Sequence, residues 1–130
     1  MTHKAHFILY VSDQKASAAF YAKVLGTQPE LDVPGMTEFR LNDGAILGLM
    51  PAKGIKRLLG DRLPDPEKGA GIPRAELYLV VSNPGDFHQR ALAAGAMELS
   101  PLQARNWGDS AAYSLDPDGH VIAFARRTTP

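Results

Sequence analysis

Hydrophobic positions along this chain alternate between two periods. Phe7-Ile8-Leu9-Tyr10-Val11 is a β-branched and aromatic run, short enough for a buried strand. It stops at Ser12-Asp13, where Asp13 suits the N-cap of a helix. That helix carries Ala16, Ala19, Phe20 and Val24 at helical spacing, and Gly26 supplies its stop. Much of the rest of this half reads as extended chain. Glu38 to Leu41 is one strand, Asn42-Asp43-Gly44 a tight turn, and Ala45 to Met50 the returning strand. Asp-Gly between two such runs predicts a hairpin whose positive φ angles match the strand twist.

The same events recur from Glu76. Leu77 to Val81 is a strand, Ser82-Asn83 takes the cap position, and Pro84 opens a helix where its missing N–H costs nothing. The helix turns Phe87, Ala91 and Ala94 inward and ends at Gly95. An extended stretch then runs to Trp107. Ala111 to Leu115 is a strand, Asp116-Pro117-Asp118-Gly119 a turn, and His120 to Arg126 the last strand. His6 to Asp13 aligns with Glu76 to Asn83 without a gap. Phe39, Leu41, Gly44, Ile46, Leu47 and Leu49 align with Tyr113, Leu115, Gly119, Val121, Ile122 and Phe124, with one residue inserted at the turn. The inference is an internal duplication of a strand-helix-strand-strand-strand unit, with chance similarity of two αβ stretches as the alternative.

The predicted organisation is one domain over residues 1–130, with a first module at 4–51, a connector at 52–73 and a second module at 74–127. The connector is rich in Gly, Pro and charge, and Ile55, Leu58 and Leu59 have the spacing of one short amphipathic turn. It reads either as a surface connector or as a lid over a pocket.

Composition narrows the chemistry. The chain has 130 residues and no Cys, which excludes a disulfide framework, a thiolate zinc site and a cysteine nucleophile. Fourteen basic residues balance fourteen acidic ones, so a surface that tracks nucleic-acid phosphates is not expected. The opening Met-Thr-His-Lys-Ala-His lacks a signal-like apolar stretch, and no later run is long enough to span a bilayer, so a cytoplasmic protein without membrane partners is expected. No His-Glu-x-x-His, glycine-rich phosphate loop or nucleophile elbow is present.

A duplicated βαβββ unit ending in Asp-Pro-Asp-Gly-His-Val-Ile-Ala-Phe-Ala resembles the glyoxalase, bleomycin-resistance and extradiol-dioxygenase superfamily, also called the vicinal oxygen chelate proteins. The matching residues are His6 to Asp13 with Ser17, Phe20-Tyr21 and Leu25-Gly26, then Ala91 to Ala96, then Tyr113 to Ala125. The resemblance implies an α+β fold of two tandem βαβββ modules, a curled sheet enclosing a cleft, a homodimer, and often a divalent metal in the cleft.

Ligands in the metal-dependent members come from the first and last strands of each module. The corresponding positions here are His6, Gly48, Glu76 and Ala123. Strand alternation places them with Ile8, Tyr10, Ile46, Tyr78, Val80 and Val121. His6 and Glu76 are capable ligands; Gly48 and Ala123 are not. Two protein ligands fall short of the three usual for catalytic zinc or a facial iron triad. Further ligands could come from Glu38, Asp43, Asp109 or His120, or from a partner chain, although Glu38 and Asp43 read as outer strand and turn residues. His6 and Glu76 can instead form a hydrogen-bonded pair, bind a polar ligand group, or act as a base with its orienter. Tyr10 and Tyr78 match across the repeat and face the cleft, and Trp107 is either a stacking wall or packing at the sheet end. Arg105 reads as an anion partner or a surface residue.

The expected function is therefore binding of a small, partly aromatic molecule by His6, Tyr10, Glu76, Tyr78 and Trp107, with no metal cofactor and no assigned catalytic residue. Zero net charge points away from a strongly cationic ligand such as bleomycin. A metal-dependent lyase, isomerase or dioxygenase is the alternative, with His6 and Glu76 as two of its ligands. A non-catalytic interaction module is a third reading.

Overall fold

A computed structural model describes residues 1–128. The elements run β1 (Ala5–Val11), α1 (Gln14–Leu25), β2 (Leu31–Val33), β3 (Met36–Asn42), β4 (Ala45–Pro51), α2 (Ala52–Leu59), β5 (Glu76–Val80), α3 (Pro84–Ala93), β6 (Met97–Ala104), β7 (Asp109–Leu115) and β8 (Val121–Arg127), with two short 3-10 turns after α2. They form an α+β fold with two four-stranded sheets, ordered β1-β4-β3-β2 and β5-β8-β7-β6. In each sheet the first strand lies parallel to the last, and the other neighbours are antiparallel. The βαβββ order is thus realised twice. The chain divides into two compact units, one of Met1–Ala22 with Gly26–Ala70, the other of Lys23–Leu25 with Gly71 onward.

Local chemistry explains the element ends. The Asp13 carboxylate accepts from Ala16 N at 3.0 Å, satisfying one of the orphan donors at the start of α1. Gly26 closes that helix in the left-handed region at φ 70, which costs a glycine nothing. Asn83 stands at the N-cap of α3, but its side chain makes no cap bond. Its amide goes to Asp86 instead, at 3.3 Å.

The β3–β4 hairpin forms where Asn42-Asp43-Gly44 predicts it, but not by positive φ angles, which neither Asp43 nor Gly44 has. Asn42 Oδ1 accepts from Gly44 N at 2.9 Å, and the ladder carries a register shift between Arg40 and Asn42. The side-chain bond closes the turn, and the bulge supplies the twist.

Buried apolar side chains form each core. In the first unit Val11, Phe39, Leu47 and Leu49 are fully shielded, and Phe20 meets Tyr21 edge-on with ring centroids 5.0 Å apart. In the second, α3 lies on β7 and β8, and Phe87 packs against Phe124 at 5.2 Å. Buried His88 pairs with Glu98 at 2.9 Å, tying α3 to β6. The connector begins as α2, a helix of two turns. Ile55 is buried, but Leu58 and Leu59 are exposed, so those leucines do not share the inward face that their spacing suggested. Lys56 caps the following turns by donating to the Gly60 and Leu63 carbonyls. Among the described residues, no helix is long and apolar enough to cross a membrane.

Candidate functional site

Strand alternation puts His6, Ile8 and Tyr10 on one face of the first sheet. Register then fixes their neighbours: His6 lies beside Ile46 and then Arg40, and Ile8 beside Gly48 and then Glu38. Glu38 therefore faces the same way as His6, and its carboxylate lies 3.6 Å from His6 Nδ1. This corrects the reading of Glu38 as an outer residue. Aligning Phe39 with Tyr113 is off by one: Glu38 sits opposite Gly48 as Tyr113 sits opposite Ala123. A slip of one residue exchanges the two faces of a strand.

Gly48 is buried beneath its neighbours. A Cβ at that position would lie 3.0 Å from Ile8 Cγ1 and 3.3 Å from Met36 Sδ, so two apolar side chains close over the glycine. Tyr10, beside Met50 in the register, is partly exposed.

The second sheet carries a richer constellation. Tyr78, Ala123 and Tyr113 stand side by side across β5, β8 and β7. Ala123 is fully shielded between two tyrosine positions. Tyr78 donates its hydroxyl proton to Asp109 Oδ2 at 2.6 Å. The Tyr78 hydroxyl oxygen in turn accepts from Trp107 Nε1 at 3.0 Å. Desolvation, and then the Asp109 hydrogen bond, raise the Tyr78 pKa above the ordinary phenol value. Desolvation, and then the charge of Glu76, raise that of Tyr113. Both phenols are consequently protonated at neutral pH.

The β6–β7 turn brings Trp107 to this place. Arg105 N donates to Asp109 O at 2.7 Å, and Gly108 takes φ 95, a conformation that glycine adopts without strain. Arg105 is not a loose surface group. Its guanidinium bonds Ala111 O, Ser100 Oγ and Pro101 O, and lies 5.1 Å from the centroid of the Tyr113 ring. It fastens the hairpin that presents Trp107.

The structure thus unites Tyr78 with Trp107, places exposed Glu76 where its charge reaches Tyr113, and pairs His6 with Glu38. Sequence reasoning gave Tyr113 no role of its own and named Asp109 only as a possible metal ligand. Their signal was available in the alternation of Asp109, Ala111 and Tyr113 along one strand face.

Asp116, Asp118 and His120 also cluster, with ligand-type atoms within 4.8 Å of one another. Asp116 Oδ1 accepts from Asp118 N at 2.9 Å and His120 N at 2.8 Å, which builds the turn before β8. Gly71 lies against this turn; a Cβ on Gly119 would approach its Cα to 2.9 Å.

Residues 4–124 match the Glyoxalase/Bleomycin resistance protein/Dioxygenase superfamily. The chain belongs to this superfamily. An uncharacterized protein of Mycobacterium bovis is 29% identical over 121 residues, covering 86% of this chain and 75% of its own. A crystal structure of a glyoxalase-related enzyme from Fulvimarina pelagi superposes with TM-score 0.81 and 25% identity, covering 98% of this chain and 89% of the other. A glyoxalase/bleomycin resistance protein/dioxygenase family enzyme from Burkholderia phytofirmans gives TM-score 0.80 at 20% identity, covering 94% and 96%. This last likeness is one of fold.

At the four positions corresponding to the superfamily's metal ligands, the donor set is incomplete. Gly48 has no side chain and is overlain by Ile8 and Met36, while Ala123 has only a methyl group, flanked by two tyrosines. Gly48 and Ala123 thus supply no donor atom for a metal.

Proposed function

We propose that this chain is a small-molecule-binding member of the superfamily that holds a partly aromatic ligand without the usual metal. The observation that carries the reading is the Tyr78–Trp107 pair. Two aromatic side chains, joined by a hydrogen bond and backed by Asp109, stand beside the small Ala123. Aromatic surface with a few oriented polar groups is what a small-molecule site requires. His6 and Tyr10 on the first sheet and Glu76 on the second are further proposed ligand contacts. The reading includes a homodimer in the cytoplasm, and light scattering during gel filtration checks the mass.

Trp107 is the sole tryptophan, so its emission reports on this wall without labelling. A compound screen read by Trp107 emission and thermal shift tests the proposal, because a ligand that binds only the folded state raises Tm by mass action. Hits that change both signals support it. A diverse aromatic collection that changes neither would overturn it.

A metal-dependent lyase, isomerase or dioxygenase is the second reading. It is favoured by one observation: His6 and Glu38 put two ligand-type groups 3.6 Å apart on one face. Elemental analysis, with thermal shifts on adding nickel, zinc, iron and manganese, decides between the readings. Near-stoichiometric metal with stabilisation supports the enzyme.

A further inference from the structure

Counting protons in the Tyr78 cluster leads to the ligand's chemistry. A phenol has one donor hydrogen and can also accept. Tyr78 spends its hydrogen on Asp109 and accepts the indole N–H of Trp107. The donors of both aromatic residues are therefore already used. What this chain leaves to face a ligand is acceptor capacity, a lone pair on Tyr78 and the second oxygen of Asp109, beside the exposed carboxylate of Glu76; the Tyr113 hydroxyl is a donor on the same face. A ligand carbonyl or carboxylate placed there meets lone pairs; an amine or ammonium meets partners.

We propose that the Trp107–Tyr78–Asp109 chain makes this face acceptor-rich, so that it prefers an aromatic ligand bearing an N–H donor to its acid and ketone counterparts, against the donors offered by Tyr113 and Arg127. This rests on the small-molecule reading above and deepens it. Asp109 is the positioning residue, since a carboxylate can only accept and thus fixes which way the Tyr78 proton points. Zero net charge for the chain does not describe this face, where two carboxylates flank three aromatic rings. Two arginines are near. Arg105 directs Nε and Nη2 to backbone carbonyls and Ser100. Arg127, opposite Asp109 in the register, is the group that favours an acid.

The test uses three matched probes, phenethylamine, phenylpropionate and benzylacetone, titrated into the intact protein and followed by Trp107 emission and Tm. The amine is expected to bind at least about tenfold more tightly than either counterpart, because an acceptor facing an acceptor forms no hydrogen bond while an ammonium gains charge-assisted ones. Asp109→Asn introduces a donor at nearly constant shape and should abolish that preference. If this variant fails to fold, Tyr78→Phe removes the phenol oxygen, keeps the ring, and should weaken the amine alone. Equal or tighter binding of the acid or ketone overturns the acceptor-rich assignment while leaving small-molecule binding intact. So does unchanged selectivity in a folded Asp109→Asn protein. Silence of all three probes also overturns the assignment, and the broader screen then judges the parent reading separately.

Discussion

The indole N–H of Trp107 donates to the hydroxyl of Tyr78 at 3.0 Å across 29 positions of sequence. Tyr78 is on β5, an edge of its sheet, and Trp107 is in the turn that leads into β7, with β8 between the two strands. The bond therefore bridges over β8, and the small side chains of that strand, Ala123 and Ala125, leave the path low enough for it.

Tyr78→Phe should keep the ring and remove both ends of this relay. The expected cost is about 1–2 kcal/mol, from one neutral bond and one to a carboxylate. Trp107 emission should shift in the ligand-free protein. Urea melts and an emission spectrum check both; an unchanged spectrum would mean that the indole is not held by Tyr78.

Alkaline pH should weaken the second unit through its two tyrosines. Tyr78 and Tyr113 have pKa values raised above 10.0 in the folded state. The folded state thus holds these protons more tightly than the unfolded chain. The resulting stability is fully present below the unfolded value and is lost as pH rises through the folded values. Denaturant midpoints measured from neutral pH upward should fall above about pH 10, and the fall should be shallower in Tyr78→Phe. Equal slopes in both proteins would contradict the shift.

Gly119→Ala should be among the more damaging small substitutions. Gly119 has φ 86, and an added Cβ would come within 2.9 Å of Gly71 Cα, a backbone atom. Strain and clash together should cost about 2–4 kcal/mol. Gly44→Ala, with nothing nearer than Asn42 Oδ1 at 3.8 Å, is the control and should change stability far less. Thermal melts of the two variants separate them.

Installing the missing carboxylates tests the site alignment. Ala123→Glu places a carboxyl between Tyr78 and Tyr113, whereas Gly48→Glu must displace Ile8 and Met36. Gly48→Glu alone should therefore destabilise by about 1–3 kcal/mol. The double variant should gain affinity for nickel or zinc, read by isothermal titration. No heat beyond the wild-type background would show that the alignment of these positions with the superfamily's metal ligands is wrong.

Element type and order were legible in the residues because caps, stops and periodicity agreed: Asp13, Gly26 and Pro84 sit where local chemistry places them. The duplicated unit was legible for the same reason. Strand register was not. Met36 to Asn42 alternates cleanly, so either face could be assigned inward until the bulge near Leu41 is known, and bulges leave no reliable composition signal. That single residue hid Glu38 from the candidate set. Partners across a sheet were equally invisible. Nothing in Gly-Asp-Ser announces that Asp109 receives the proton of a tyrosine on another strand.

The contact of Gly71 with Gly119 sets how the connector can vary. A side chain at Gly119 would force the Gly71 backbone to retreat, whereas a Cβ on Gly71 would meet nothing within 4 Å, and what favours glycine there is its φ of 81. The chain is pinned where it crosses the Asp116–His120 turn, while the exposed stretch before it carries no such restriction. Insertions and deletions among relatives should therefore collect upstream of residue 71, and the crossing itself should keep glycine at 119 because of the contact and at 71 because of its positive φ.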